Sequence, residues 1–423
     1  AIRSSSGRPS ACPALREMLS ALVATSTGTV ATRTLPVLQP SAAGRWDSSN
    51  VASPVVLLPR EGVAGDPWRM FYYGSDGTWS DAAATPFLPT GKCGLATSAD
   101  GLTWTRATDE CVFAPGERGA WDSLHVGVGD VHWNEDGRSL TMYYLAAGDE
   151  AVDGAPAGIR MRIGRATSED GGLSWAREPG PVVSADAAEG LFASWPRVLP
   201  PALTGGPWRM LYHSFDGRRW RAFSCRSDDG GASWTREGLA LGPGEGGAWD
   251  EQGVGTRCVV PWRDRLLMIY EGVEAGSGTH RLGGAASADG GRSWERLDLP
   301  PLLEPGGAGG DWTAQVVGTP YAVALPGGGL RLFFCGKPSA ERGGMCIGAL
   351  DSPAGRLEAD AWLPAGKRVS GSASYLKGMV ESPLEFRSGE ALDNLTPNLK
   401  LLGGAAAVSA ALVGGFLAAN GVL

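Results

Sequence analysis

No two cysteines in this 423-residue chain are spaced C-x-x-C, although it has seven. That absence disfavours zinc and thioredoxin-like chemistry. Cys12, Cys93, Cys111, Cys225, Cys258, Cys335 and Cys346 form no framework, and their odd number favours buried free thiols. Cys335 and Cys346 nevertheless flank an expected hairpin loop and could face each other across two strands. Charge is also scarce, at 19% of residues with a net value of −8. No basic cluster occurs, which argues against a phosphate-binding surface and against nucleic acid as a partner. Histidine is rarer still, at four residues. His125 and His280 lack ligand-like spacing, so neither a metal nor another cofactor is expected.

Two stretches lack charge of one sign or of both. Before Asp47 the only acidic residue is Glu17, set among Arg3, Arg8, Arg16, Arg33 and many Ser, Thr and Ala. Such an acid-poor start has the composition of an organelle transit peptide, with a plain disordered segment over residues 1–34 as the alternative. From Leu401 to Leu423 there is no charge at all. About 20 apolar residues cross a bilayer, so residues 399–423 are expected to form a transmembrane tail anchor after a linker over 366–398. A buried C-terminal helix is the alternative. Lys377, Arg387 and Lys400 before the run place the folded part on the cytosolic or stromal face. With the transit-like start, this makes a plastid or thylakoid membrane the expected location. Gly403, Ala407, Ala411, Gly415 and Ala419 recur every fourth residue, a face on which a helix of an integral membrane complex could pack. Asn394-Leu395-Thr396 is a glycosylation sequon that would matter in a secretory protein. The charge flanks and the lack of an N-terminal apolar core weigh against that route.

What the chain has in excess is Gly, at 64, and Trp, at 16. Both suit an all-β protein of tight turns anchored by large aromatics. They recur in order. SADGLTW (98–104), SEDGGLSW (168–175), SDDGGASW (227–234) and SADGGRSW (287–294) give a period of 60 to 71 residues. Upstream of them run WRMFYYGSDG (68–77), LTMYYLAAGD (140–149), WRMLYHSFDG (208–217), LLMIYEGVEA (266–275) and LRLFFCGKPS (330–339). A third unit opens on Trp-Asp at RWDSSNVASPVV (45–56), AWDSLHVGVGDV (120–131) and AWDEQGVGTRCV (248–259). It is altered in DWTAQVVGTPYA (311–322), and FASWPRVL (192–199) lacks the opening. Five copies of four short strands predict a five-bladed β-propeller over residues 35–365, the fifth with a worn turn at 350–356. In the acidic turn, Asp is expected to accept backbone N–H bonds, Gly to supply positive φ and Trp to bury its ring. Those roles are structural.

The turn matches the Asp-box of sialidase-type propellers. The blade as a whole, with its V-x-x-P-x-V first strand and W-R-M-x-Y-Y second strand, resembles the five-bladed propellers of arabinanases, invertases and levansucrases. That resemblance implies carboxylates on the innermost strands around a funnel, one as general acid and one as base or nucleophile. The acid of the first blade commonly precedes a proline in the family. Here the corresponding positions are Ser53-Pro54, Trp195-Pro196, Thr256-Arg257 and Thr319-Pro320, none acidic. Asp130 and Glu271 are the remaining candidate acids. His132 is two residues from Asp130 and shares its strand face. His213 occupies in the third blade the position of Glu271 in the fourth, so the two could converge. Asp47, Asp122, Asp250 and Asp311 near the strand entries are expected to cap turns. Ser53, His132, Trp195, His213, Thr256, Arg257 and Thr319 are therefore the expected ligand-facing set. The expectation is a membrane-tethered, catalytically degenerate glycosyl-hydrolase-like propeller serving as a binding or scaffold subunit. An active glycoside hydrolase or carbohydrate-binding protein with relocated carboxylates is the alternative.

Overall fold

The structure, a computed structural model, describes residues 35–79, 88–150, 157–307, 310–339 and 343–366. The expected transit segment, tail anchor, small-residue face and sequon lie outside these residues. Among the described residues no helix is long and apolar enough to cross a membrane.

Each repeat folds as four antiparallel strands, and a parallel pairing of Trp220 with Gly253 joins the third and fourth repeats at one edge. Blade I is β1 (Asn50–Leu57), β2 (Trp68–Ser75), β3 (Lys92–Ser98) and β4 (Thr105–Arg106). Blade II is β5 (His125–Trp133), β6 (Leu140–Ala147), β7 (Arg162–Ser168) and β8 (Ala176–Arg177). Blade III is β9 (Ser194–Leu199), β10 (Trp208–Phe215), β11 (Trp220–Ser227) and β12 (Thr235–Leu241). Blade IV is β13 (Gly253–Trp262), β14 (Arg265–Val273), β15 (His280–Ser287) and β16 (Glu295–Arg296). Blade V is β17 (Val316–Ala324), β18 (Leu330–Lys337), β19 (Cys346–Ser352) and β20 (Leu363–Pro364). The first strands of successive blades touch one another, and β1 touches β17, which closes the ring.

A small sheet cannot bury its own faces, so the core consists of wedges between blades. Phe71, Val126 and Tyr144 fill the joint of blades I and II. Met210 and Tyr212 pack with Tyr143 between II and III, and Leu211 and Met268 between III and IV. Ile269 and Phe334 share the joint of IV and V, and Met70 and Phe333 that of V and I. The Asp-box tryptophans reach across these joints. Trp104, Trp175 and Trp234 meet Phe333, Phe71 and Tyr143 of the preceding blade edge-on at 5.7–5.9 Å. The worn fifth turn reverses the arrangement: Trp262 of blade IV donates its indole N–H to the Gly355 carbonyl at 2.8 Å.

Inside the turn, Asp289 accepts the N–H groups of Arg292 and Ser293, both at 3.0 Å, and the hydroxyls of Ser287 and Ser293. Burial acts to raise its carboxyl, but these bonds hold it down at about 2, as in Asp170. In Asp100 the Thr103 and Leu102 N–H groups do the same. The depressed carboxyls contribute stability that is complete above the unfolded value near 3.9 and is lost as pH falls toward 2. Asp289→Ala is expected to cost about 1–2 kcal/mol at pH 7, since the turn is solvent-exposed, and the deficit should vanish near pH 2 in urea titrations. A deficit independent of pH would contradict this.

The Trp-Asp unit does more than cap a turn. Asp47 accepts Tyr72 Oη at 3.0 Å and Arg106 Nε at 2.7 Å, tying the strand entry to the second and fourth strands. Asp122 holds Tyr144 and Arg177 in the same way, and Asp250 holds Tyr270 and Arg296. Blade III, which lacks Trp-Asp, substitutes Glu189, which binds Tyr212 and Arg236. In blade V the stacked pair is Trp312 on Phe334, so the aspartate's place falls to Thr313 rather than to the expected Asp311, and the phenol disappears with the carboxylate.

The outermost strand of blade V is completed from the other end of the sequence. Val37 and Leu38 donate to the Ile347 carbonyl at 2.7 and 3.1 Å, and Ile347 N–H returns to Leu38 at 2.9 Å. Phe113, Val183 and Leu303 bridge the third strands of blades I, II and IV in the same manner from within their own repeats. Cys335 lies opposite Ile347, and Cys346 opposite Gly336, so the two cysteines do not face each other. They and the four other described cysteines are free thiols.

Candidate functional site

Three of the first strands carry the same backbone irregularity. Ser53, Trp195 and Thr319 have φ of 50°, 49° and 43°, each followed by a proline. Side chains bearing a Cβ avoid this region, and a β-branched Thr there is a true outlier. The bulge turns the three side chains together at one end of the axis, where all three line a cavity of about 480 Å³. Trp195 Nε1 donates to Ser53 Oγ at 3.4 Å, and Ser53 N–H donates to Thr319 Oγ1 at 3.2 Å. The rest of the wall includes Tyr73, Trp79, Leu145 and His125.

Behind Thr319 stands Glu271, whose side chain is 11% exposed. Its carboxylate accepts Thr319 N–H at 3.1 Å, the Thr256 hydroxyl, and a 2.5 Å contact from His280 Nδ1. The expected convergence of Glu271 with His213 does not occur. Glu271 takes the histidine one strand outward in its own blade, and His213 bonds Arg257 at 2.7 Å and stacks on Trp195 at 5.2 Å. Burial acts to raise the Glu271 carboxyl, but His280, Thr256 and the Thr319 N–H hold it below the ordinary glutamate value. Burial acts to lower His280, and Glu271 overrides it, raising the imidazole. Each group thus favours the charged form of the other.

Asp130 is placed differently. It bonds across to blade III, accepting Val198 N–H at 2.7 Å while also accepting Val131 N–H at 3.0 Å. Burial pushes its carboxyl up against the pull of the Arg197 guanidinium. Arg197 lies over the Tyr321 ring at 5.0 Å and donates to the Arg257 carbonyl at 2.8 Å, so this cluster is a plug between blades. His132 shares the Asp130 face, as expected, but that face meets blade III: the ring stacks on Tyr143 and against Trp208. Arg257 is fully buried, and burial and Arg197 lower its guanidinium to about 9.

Of the expected set, the cavity therefore gathers Ser53, Trp195 and Thr319; Thr256 and Glu271 stand one step behind; His213 and Arg257 lie beneath Trp195; Asp130 and His132 are inter-blade. Trp79, Tyr73 and Lys337 are cavity residues that sequence reasoning did not single out, and His125, set aside for its spacing, lines the cavity too. Tyr73, His125 and Lys337 lie inside the repeated units and Trp79 beyond one, and nothing in the repeats says that these side chains face the axis. Among the described residues no group of His, Cys, Asp and Glu is arranged to hold a metal ion.

No protein-family profile matches the chain, and no curated protein matches it. Solved structures do. One glycoside hydrolase superposes with a TM-score of 0.55 at 17% identity, over 84% of this chain and 98% of its own length. A glycosyl hydrolase from Bacteroides ovatus gives 0.51 at 15%, over 80% and 95%. A thermostable family-43 glycoside hydrolase gives 0.52 at 13%, over 79% and 98%. At such identities the likeness is one of fold. The chain has the β-propeller fold of glycoside hydrolases.

Proposed function

We propose that this propeller binds carbohydrate at its axial mouth without hydrolysing it, and that the uncharged run at 401–423 tethers it to a membrane as a binding or scaffold subunit. The observation that carries the first part is the state of the two candidate carboxylates. Glycoside hydrolysis requires a protonated acid and a second carboxylate across the sugar. Glu271 is held ionised by His280, the opposite of a general acid's requirement. Asp130 spends both oxygens on backbone N–H groups inside the protein. Among the described residues the cavity wall contains hydroxyls and aromatic faces but no carboxylate. Strained backbone at Ser53, Trp195 and Thr319, three residues that line the cavity, supports a binding role there.

The test is a panel of oligosaccharides titrated calorimetrically against the full-length protein, with chromatography of the same mixtures. Binding without released sugar is expected, and Trp195→Ala should weaken it about 10-fold by removing an aromatic face. Sugar release that disappears in Glu271→Gln would replace this reading with that of an active hydrolase. For the tether, the full chain should resist carbonate extraction from membranes, and a chain lacking 399–423 should be released. Full-chain recovery in the soluble fraction would remove that part of the proposal.

A further inference from the structure

We infer that the ligand of the axial mouth is an anionic sugar, carrying a carboxylate or a phosphate, which is bound by Lys337 with His125 as its hydrogen-bonding neighbour. This rests on the carbohydrate-binding reading above and adds the charge of the ligand to it.

The argument begins with what the cavity wall has left to offer. Its polar groups are mostly engaged within the protein: Ser53 Oγ accepts from Trp195, Thr319 Oγ1 accepts from Ser53 N–H, and Asn50 Oδ1 accepts Met345 N–H at 3.0 Å. Two groups that could answer a polar ligand stand out. Among the described residues Lys337, at the end of β18, is the only charged residue of the wall, and no carboxylate pairs with it. His125 is 1% exposed, and neither of its ring nitrogens has a partner among the described residues. Burial lowers its pKa to about 4, so at neutral pH it presents one N–H donor and one lone pair, not a charge. A buried polar group without a partner costs about 1–3 kcal/mol, which a ligand oxygen would relieve.

Charge selects the ligand. A single cation among Trp79, Leu88, Leu145 and Trp195 acts through a weaker dielectric than open water, so its attraction for an anion is enhanced. Glu271, behind Thr319, already has a partner of its own in His280. The cavity of about 480 Å³ is within the range of about 300–1000 Å³ typical of small-molecule sites. A neutral sugar would leave Lys337 facing an apolar wall and an uncharged imidazole. A uronate or a sugar phosphate would supply its counter-charge through a charge-assisted hydrogen bond.

The experiment titrates the full-length protein with a galacturonate oligosaccharide, its neutral galactose counterpart, galactose 1-phosphate and inorganic phosphate. At least one of the two anionic sugars is expected to bind about 10-fold or more tightly than the neutral one. The tighter of the two identifies the anion as carboxylate or phosphate. Lys337→Met should abolish the preference while leaving the melting temperature unchanged, since the side chain has no structural bond to lose. Trp195→Ala should weaken neutral and anionic sugars alike. Equal binding of neutral and anionic sugars, unaffected by Lys337→Met, would overturn the anionic inference and leave carbohydrate binding standing. Binding of inorganic phosphate as tight as that of the sugars, or of no sugar at all, would overturn both.

Discussion

Replacing Asp130 with Ala is expected to lower the unfolding free energy by about 3–5 kcal/mol in urea titrations, the largest loss expected of any single substitution named for this chain. The side chain does three things at once. It accepts the Val198 N–H of the neighbouring blade, accepts its own Val131 N–H, and lies beside the buried guanidinium of Arg197, whose pull opposes the upward push of burial on the carboxyl. Alanine leaves two buried backbone donors unsatisfied and removes the carboxyl that lies beside a buried guanidinium. Asp130→Asn keeps the shape and one acceptor oxygen and should lose about half as much. Arg197→Met together with Asp130→Leu removes the guanidinium and the carboxyl together, so the double variant should recover much of the deficit. A loss under about 1 kcal/mol for Asp130→Ala would show that the plug does not depend on this carboxylate.

Leu38→Ala is expected to cost about 2–5 kcal/mol, and its signature should be spatial. Leu38 is 4% exposed and belongs to the hydrophobic wedge between blades V and I. The same truncation at Leu303, its counterpart inside blade IV, removes a similar volume from a similar joint. Leu303, however, is tethered to its blade on both sides along the chain, whereas Leu38 holds together segments more than three hundred residues apart. Amide hydrogen exchange should therefore accelerate in β1 and β19 for Leu38→Ala, and stay local to blade IV for Leu303→Ala. Identical exchange maps would mean that the ring does not depend on this strand for closure.

The blades are legible in the sequence because repetition shows itself without alignment. Four Asp-boxes and five aromatic strands mark the period, and each is a local motif whose residues lie within one hairpin. The closing strand is harder to find. Leu38 stands eight residues before Trp46 as Phe113 does before Trp121 and Leu241 before Trp249, so the signal exists, but it assigns the strand to a blade at the other end of the chain. The site is legible only in part. The x-Pro spacing locates Ser53, Trp195 and Thr319 at one mouth, where the cavity lies. Strand alternation places Asp130 and His132 on a shared face but cannot say whether that face meets the funnel or the next blade. Glu271's choice of His280 over His213 depends on strand pairing within blade IV, where Val273 is opposite His280, and no repeat encodes it.

The borrowed strand also sets an order of events during synthesis. Residues 35–39 emerge from a ribosome before any blade, and their partner, Ile347, is among the last of the propeller to do so. Blades I to IV can form their hairpins as they appear, each from contacts within about 70 residues. The edge of the nascent ring remains unsealed throughout, exposing Leu38, Trp46 and Met70 until β19 is released. Translation speed and chaperone access over that interval therefore bear on the yield of folded protein.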